Sequence, residues 1–174
     1  AIFDARQRLN SSTGTRASYD RELLIEYAQS RINSALPVTL LIVVLAGFAS
    51  LFTPATLPFA WAAVVIAANF SVVFVAGKIS KTPIEKFDPK KWGTPITVVE
   101  LVLGLAWAAL GTLLLFPHPE LLSIVLFAMV LIGIATNALS TNTMVSATLL
   151  NTAPMALIAS GMLLKEGNLL HVSL

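Results

Sequence analysis

The sequence has no cysteine at all. That excludes a disulfide framework, thiolate-ligated metals and iron–sulfur clusters. Histidine is nearly absent too: His118 and His171 stand far apart, without the spacing of a metal pair. Charge is scarce. Only 11% of the residues are Asp, Glu, Lys or Arg, against about 25% in a soluble domain. The few basic residues flank apolar stretches instead of forming a patch, so the net charge of +2 is no nucleic-acid signal. Nucleotide-binding loops, HExxH, Gly-x-Ser-x-Gly and a paired membrane histidine for haem are all missing. The chain is therefore expected to be non-enzymatic and to carry no cofactor.

What fills the sequence is hydrocarbon. Hydrophobic residues make up 56% of the 174 positions, and the mean hydropathy is +0.83. Apolar runs of the length needed to cross about 30 Å of hydrocarbon recur along the chain. They predict spans near 36–53, 57–77, 95–116, 120–139 and 143–164, with LLHVSL opening a sixth. The breaks are FTPATLP, the charged KISKTPIEKFDPKKWGTP, FPHPE, STN and a turn at KEGN. The expected fold is all-α: a polytopic membrane helical bundle of five complete spans plus the start of a sixth.

Three segments follow: a polar arm over 1–17, an amphipathic helix over 18–34, and a transmembrane domain over 35–174. In the 18–34 helix, Ser18 is a candidate N-cap. Asp20 and Glu22 near the start and Arg31 near the end suit the helix dipole. Leu24, Tyr27 and Ala28 share one face. Pro37 falls close to the first position of span one, where a missing N–H costs little. The arm AIFDARQRLN lacks the apolar core of a signal peptide. With no initiator Met, and an end inside a renewed apolar run, the chain reads as part of a longer protein.

Lys and Arg set the orientation. Arg6, Arg8, Arg16, Arg21 and Arg31 precede span one, and Lys78, Lys81, Lys86, Lys90 and Lys91 separate spans two and three. A cytoplasmic N-terminus puts these ten inside and leaves only Lys165 outside. Lys86, Lys90, Lys91 and Trp92 are then the anchors of the inner loop.

Within span three stands a single acid, Glu100, eight residues beyond Trp92 and about 12 Å further along a helix. An intramembrane carboxylate is a functional candidate by default. Glu100, Gly104, Trp107 and Gly111 recur at i, i+4, i+7 and i+11, which places a carboxylate, two notches and an indole on one face. Two readings stand: a buried acid that senses a proton, a cation or a polar ligand, and an interfacial acid paired with Lys90 or Lys91. Spans four and five hold Thr136, Asn137, Asn142, Ser146, Asn151 and Thr152, with Pro154 as a hinge; span two holds Asn69. Such groups either line a pocket or bond between helices. The residues singled out as ligand-binding or switch positions are Glu100, Trp107, Asn137, Asn151 and Pro154.

The lead-in RELLIEYAQSRINSALPVTLL, the basic FDPKKW loop, the outer turn LFPHPELL, a span ending NALST and a proline-bearing span closing in LLKEGNLLHVSL together resemble the six-span N-terminal membrane regions of bacterial sensor histidine kinases and diguanylate cyclases. The resemblance implies a sensory input module whose last span continues into a cytoplasmic output domain. It implies as partners the lipid bilayer and either a second copy or another membrane protein. Two other functions fit the composition: an accessory subunit of a respiratory or photosynthetic complex, and a small transporter or channel that depends on Glu100.

Overall fold

The computed structural model describes residues 15–83, 87–111 and 120–172, with side chains described over 20–83, 87–88, 91–111, 121–162 and at 164. These residues form five helices: α1 (Thr15–Ala49), α2 (Thr56–Lys81), α3 (Pro89–Ala108), α4 (Glu120–Thr141) and α5 (Val145–Val172). No strand occurs among the described residues. Each helix contains a stretch long and apolar enough to cross a membrane, from 30 residues in α1 to 18 in α5. The chain is a multi-pass helical membrane bundle.

Three sequence expectations about helix ends are overturned. Residues 18–34 and the first span are one continuous 35-residue helix, with Pro37 in its interior. Ser18 is therefore inside the helix, and neither an acid in the first turn nor a base in the last turn of α1 serves the dipole. Pro37 brings no N–H to the carbonyl of Asn33, one turn back. The expected turn at KEGN is also absent. α5 runs unbroken through 165–168 to Val172, so LLHVSL does not begin a separate element within it. A lone helical glycine such as Gly167 costs only about 1 kcal/mol, too little to end a helix of this length. The charged loop between α2 and α3 shrinks likewise, since α2 keeps Lys78 and Lys81 and Pro89 opens α3. Of the turn expected at FPHPE, Glu120 opens α4, and residues 116–119, His118 among them, lie outside the described residues. The STN break is present: α4 ends at Thr141 and α5 begins at Val145.

The helices form a ring in the order α1–α2–α3–α5–α4, which closes where α4 meets α1. α3 is the hub, because it also touches α1 and α4 across the ring and so contacts all four other helices. Chain direction alternates, so one end of the bundle carries Lys78, Lys81, Lys91 and the α4–α5 turn. At that end Leu24, Tyr27, Ala28, Ala76, Ile79, Ile96 and Ala147 pack together, with Trp92 and Phe87 against them. The rest of the core is one larger cluster centred on Ile42, Val65, Leu103, Trp107, Leu126 and Met155. Large side chains such as Leu40, Phe70, Phe74, Leu139 and Leu157 face outward, as lipid contact requires, since no hydrophobic gain draws them inside.

Close approach of α3 to its neighbours depends on glycine. A Cβ on Gly104 would overlap the backbone carbonyl of Asn151, and one on Gly111 would overlap the Ile158 side chain. Both contacts are with α5 and lie seven residues apart along each chain, Gly111 in the 3-10 turn that continues α3, as parallel packing with a shared register demands. On α4, a Cβ at Gly133 would lie 2.7 Å from Trp107 Cε3. The i, i+4, i+7, i+11 face read from the sequence is thus the packing face of α3. Gly104→Ala is expected to lower bundle stability by about 1–3 kcal/mol, read as thermal unfolding in nanodiscs. Gly77→Ala, where a Cβ would meet nothing within 4 Å, should be neutral or stabilising by about 0.5–1 kcal/mol.

Candidate functional site

The acid singled out in span three is wholly enclosed. Glu100 has 0% relative exposure, and the residue beside it, Arg31 of α1, has 1%. Their contact is bidentate. Arg31 Nε donates to Glu100 Oε1 at 2.8 Å, and Arg31 Nη2 donates to Oε2. Such a fork matches the plane of a carboxylate in a way that lysine cannot. Tyr27, one turn before Arg31 on α1, donates its hydroxyl to Oε1 at 2.5 Å. Asn151 of α5 donates Nδ2 to Oε2 at 2.5 Å. Each carboxylate oxygen therefore accepts two hydrogen bonds, and the roughly four lone-pair sites of an ionised carboxylate are all in use.

The remaining donors of Arg31 lead to α4. Nη1 makes a long contact of 3.5 Å with Asn137 Oδ1. Asn137 is held by its own helix, donating Nδ2 to the Gly133 carbonyl at 2.9 Å, while Thr141 Oγ1 donates to the Asn137 carbonyl at 2.8 Å. One polar cluster thus joins α1, α3, α4 and α5. Ser30 Oγ adds a second tie from α1 to α4, donating to the Ser140 carbonyl at 3.0 Å.

Glu100 does not pair with Lys91. Its partner is Arg31, and Lys91 points outward as an exposed side chain. The reason is geometric. Glu100 lies nine residues beyond Lys91, about 13 Å along the axis, on the face that α3 turns inward. The Lys90 side chain and Lys86 lie outside the described residues.

Of the positions chosen from the sequence, the structure brings Glu100, Asn137 and Asn151 together. Trp107 is buried two turns further along α3, where its ring meets Trp61 edge-on at 5.5 Å and fills the Gly133 notch. Trp61 Nε1 in turn donates to the Ala106 carbonyl at 3.0 Å. This aromatic layer is apart from the polar cluster. Pro154 is half-buried in α5, one turn past Asn151. Among the other polar groups of spans four and five, Ser140 bonds the Thr136 carbonyl, Thr152 that of Thr148, and Thr148 the carbonyls of Met144 and, across the turn, of Thr141 at the end of α4.

Tyr27 and Arg31 are the residues that sequence reasoning missed. Both lay in the segment read as an amphipathic lead-in, and Arg31 was counted among the basic residues that set the orientation. A signal was present. Leu24, Tyr27, Ala28, Arg31, Val38, Ile42 and Leu45 share one helical stripe, and all are buried. An arginine inside an unbroken apolar stripe is a charge that needs a buried partner.

A charge taken out of water is costly, and a buried pair is tolerated only when every lone pair and proton is matched. Removal of one partner leaves the other bare. Glu100→Gln should therefore cost about 3–5 kcal/mol of bundle stability. Tyr27→Phe, which withdraws one of four donors to the carboxylate, should cost about 1.5–3 kcal/mol. Lys91→Gln should stay within about 0.5 kcal/mol of the parent. Thermal or denaturant unfolding of the three variants in nanodiscs measures the series.

No family model, no curated protein and no solved structure matches this chain. The cluster is read from its own geometry: an ion pair with a fully bonded carboxylate that couples four of the five described helices of a membrane bundle.

Proposed function

We propose that this chain is the membrane-embedded sensory input module of a bacterial signal-transduction protein, lying in the inner membrane with its N-terminus and its lysine-bearing end cytoplasmic. The supporting observation is the polar cluster. It holds four helices by directional bonds in a medium where apolar contacts alone give little preference for one packing over another. Directional bonds are made or broken as units, so a bundle joined through them has discrete arrangements and does not deform continuously.

The cluster also contains material for a second arrangement. Among the described residues, Asn151 Oδ1 is buried without a hydrogen-bond partner. An unmatched buried polar atom is a local cost. A packing that satisfied Asn151 Oδ1 at the expense of the long Arg31–Asn137 contact would compete with the present one. A ligand or membrane partner with different affinity for the two packings shifts the population between them, and a sixth span after α5 carries the shift to a cytoplasmic output domain.

A transporter or channel reading is weaker. It needs Glu100 to face a path, yet both of its oxygens are occupied by protein donors. An accessory subunit of a larger complex would use the same cluster as a static brace.

The mass of the native polypeptide in its source membranes separates the two remaining readings. The input-module reading expects a chain some hundreds of residues longer, with a sixth span after α5 and then a cytoplasmic kinase or cyclase domain. A native chain that ends close to Leu174 and co-purifies in a respiratory or photosynthetic assembly would contradict it.

A further inference from the structure

At the lysine-bearing end of the bundle, α1, α3 and the α4–α5 turn surround an open groove of about 470 Å³. Its floor is apolar, made by Leu23 and Leu24 of α1 and by Met144. Its rim is polar and of two kinds. Asp20 contributes a carboxylate from α1, while Thr143 and Ser146 contribute hydroxyls from the turn and from the first turn of α5. The α3 wall is open because Gly93 presents no side chain, and a Cβ there would meet nothing within 4 Å.

One rim group is unsatisfied. Thr143 Oγ1 is buried and has no hydrogen-bond partner among the described residues. A buried hydroxyl without a partner is unfavourable by itself, so the groove is short of a polar occupant. Charge narrows the choice. A cation suits Asp20. An anion suits the two hydroxyls and the unpaired N–H groups with which α5 begins at Val145. Opposite charges a short distance apart, above an apolar floor, describe a zwitterionic amphiphile.

We propose that the groove binds the headgroup of an aminophospholipid. The primary ammonium lies on Asp20, the phosphate on Thr143, Ser146 and the start of α5, and the glycerol end on Leu23, Leu24 and Met144. Position favours a lipid over a soluble zwitterion, because the groove is at the end where Trp92 and Lys91 mark the edge of the spans. Headgroup chemistry favours ethanolamine. A choline carries no N–H to donate to Asp20, and a glycerol headgroup leaves that carboxylate facing the lipid phosphate unpaired. Leu24 lies one turn before Tyr27 on the same buried face of α1, so an occupant touches the helix that supplies Arg31. Only that last link rests on the signalling reading; the binding itself does not.

The test uses the full chain in phosphatidylcholine nanodiscs doped with phosphatidylethanolamine or phosphatidylglycerol, with retained lipids counted by native mass spectrometry. Phosphatidylethanolamine should be retained about tenfold better than either of the others, the scale of one charge-assisted hydrogen bond. Asp20→Asn, at a half-exposed position, should remove the preference without a change in melting temperature. Met144→Trp, which fills the floor, should remove it as well. Equal retention of the three lipids would overturn the proposal, as would selective retention of phosphatidylglycerol or an Asp20→Asn variant that keeps the preference. Displacement by glycerophosphoethanolamine at the affinity of the whole lipid would also overturn it, because the site would then recognise a soluble zwitterion.

Discussion

A carboxylate inside hydrocarbon must have all of its lone pairs met by protein, and much of this bundle follows from that demand at Glu100. Water is not at hand to supply the missing bonds, so the donors must come from neighbouring helices. Arg31 brings a planar fork and a compensating charge, Tyr27 a hydroxyl, and Asn151 an amide. Each donor constrains the helix that carries it. α1 must present two residues one turn apart to the same acid. α5 must come close enough for a short asparagine to reach, and Gly104 lets it do so by leaving the Asn151 backbone unobstructed. The ring order and the hub position of α3 express the same geometry at the scale of the domain.

Apolar packing completes what the polar cluster begins. Trp107 and Trp61 form a layer further along the bundle, and Gly133 and Gly111 allow α4 and α5 to close around it. These contacts fill space and resist voids, but they tolerate sliding more readily than a bidentate ion pair. Register along the axis is therefore held by the polar cluster, and close packing by the glycine notches. A reversible change in the first would be transmitted through the second, because close-packed helices move as units. That division of labour is why a sensory role is attractive for this arrangement, and why the groove beside Leu24 is well placed to influence it.

Much of the architecture was legible in single residues. The apolar runs gave the helices, and the lone acid in span three was conspicuous because intramembrane charge is expensive. The spacing of Glu100, Gly104, Trp107 and Gly111 revealed the packing face of α3 without any structure. Asn137 and Asn151 were chosen on polarity at membrane depth, and both belong to the cluster. The partner of Glu100 was not legible in the same way. Arg31 is 69 residues away along the chain, and one sequence does not record which distant residues meet. Arg31 also lay where punctuation by Ser34 and Pro37 invited a helix boundary. In the folded chain, propensity lost to continuity of the buried stripe, and the same happened at Gly167 in α5. Glycine, proline and charge mark ends in soluble helices because water rewards exposed backbone there; a long membrane helix braced by neighbours runs through them.

The claim that the Arg31–Glu100 pair organises the bundle is tested most directly by a double-mutant cycle on unfolding in nanodiscs, with Arg31→Met and Glu100→Met. Each single change should cost about 3–5 kcal/mol by leaving one bare buried charge. The double variant, with both charges gone, should be more stable than either single one, with a coupling of at least about 2 kcal/mol. Additive losses would contradict the account, since they would mean that the two side chains contribute to stability independently of each other.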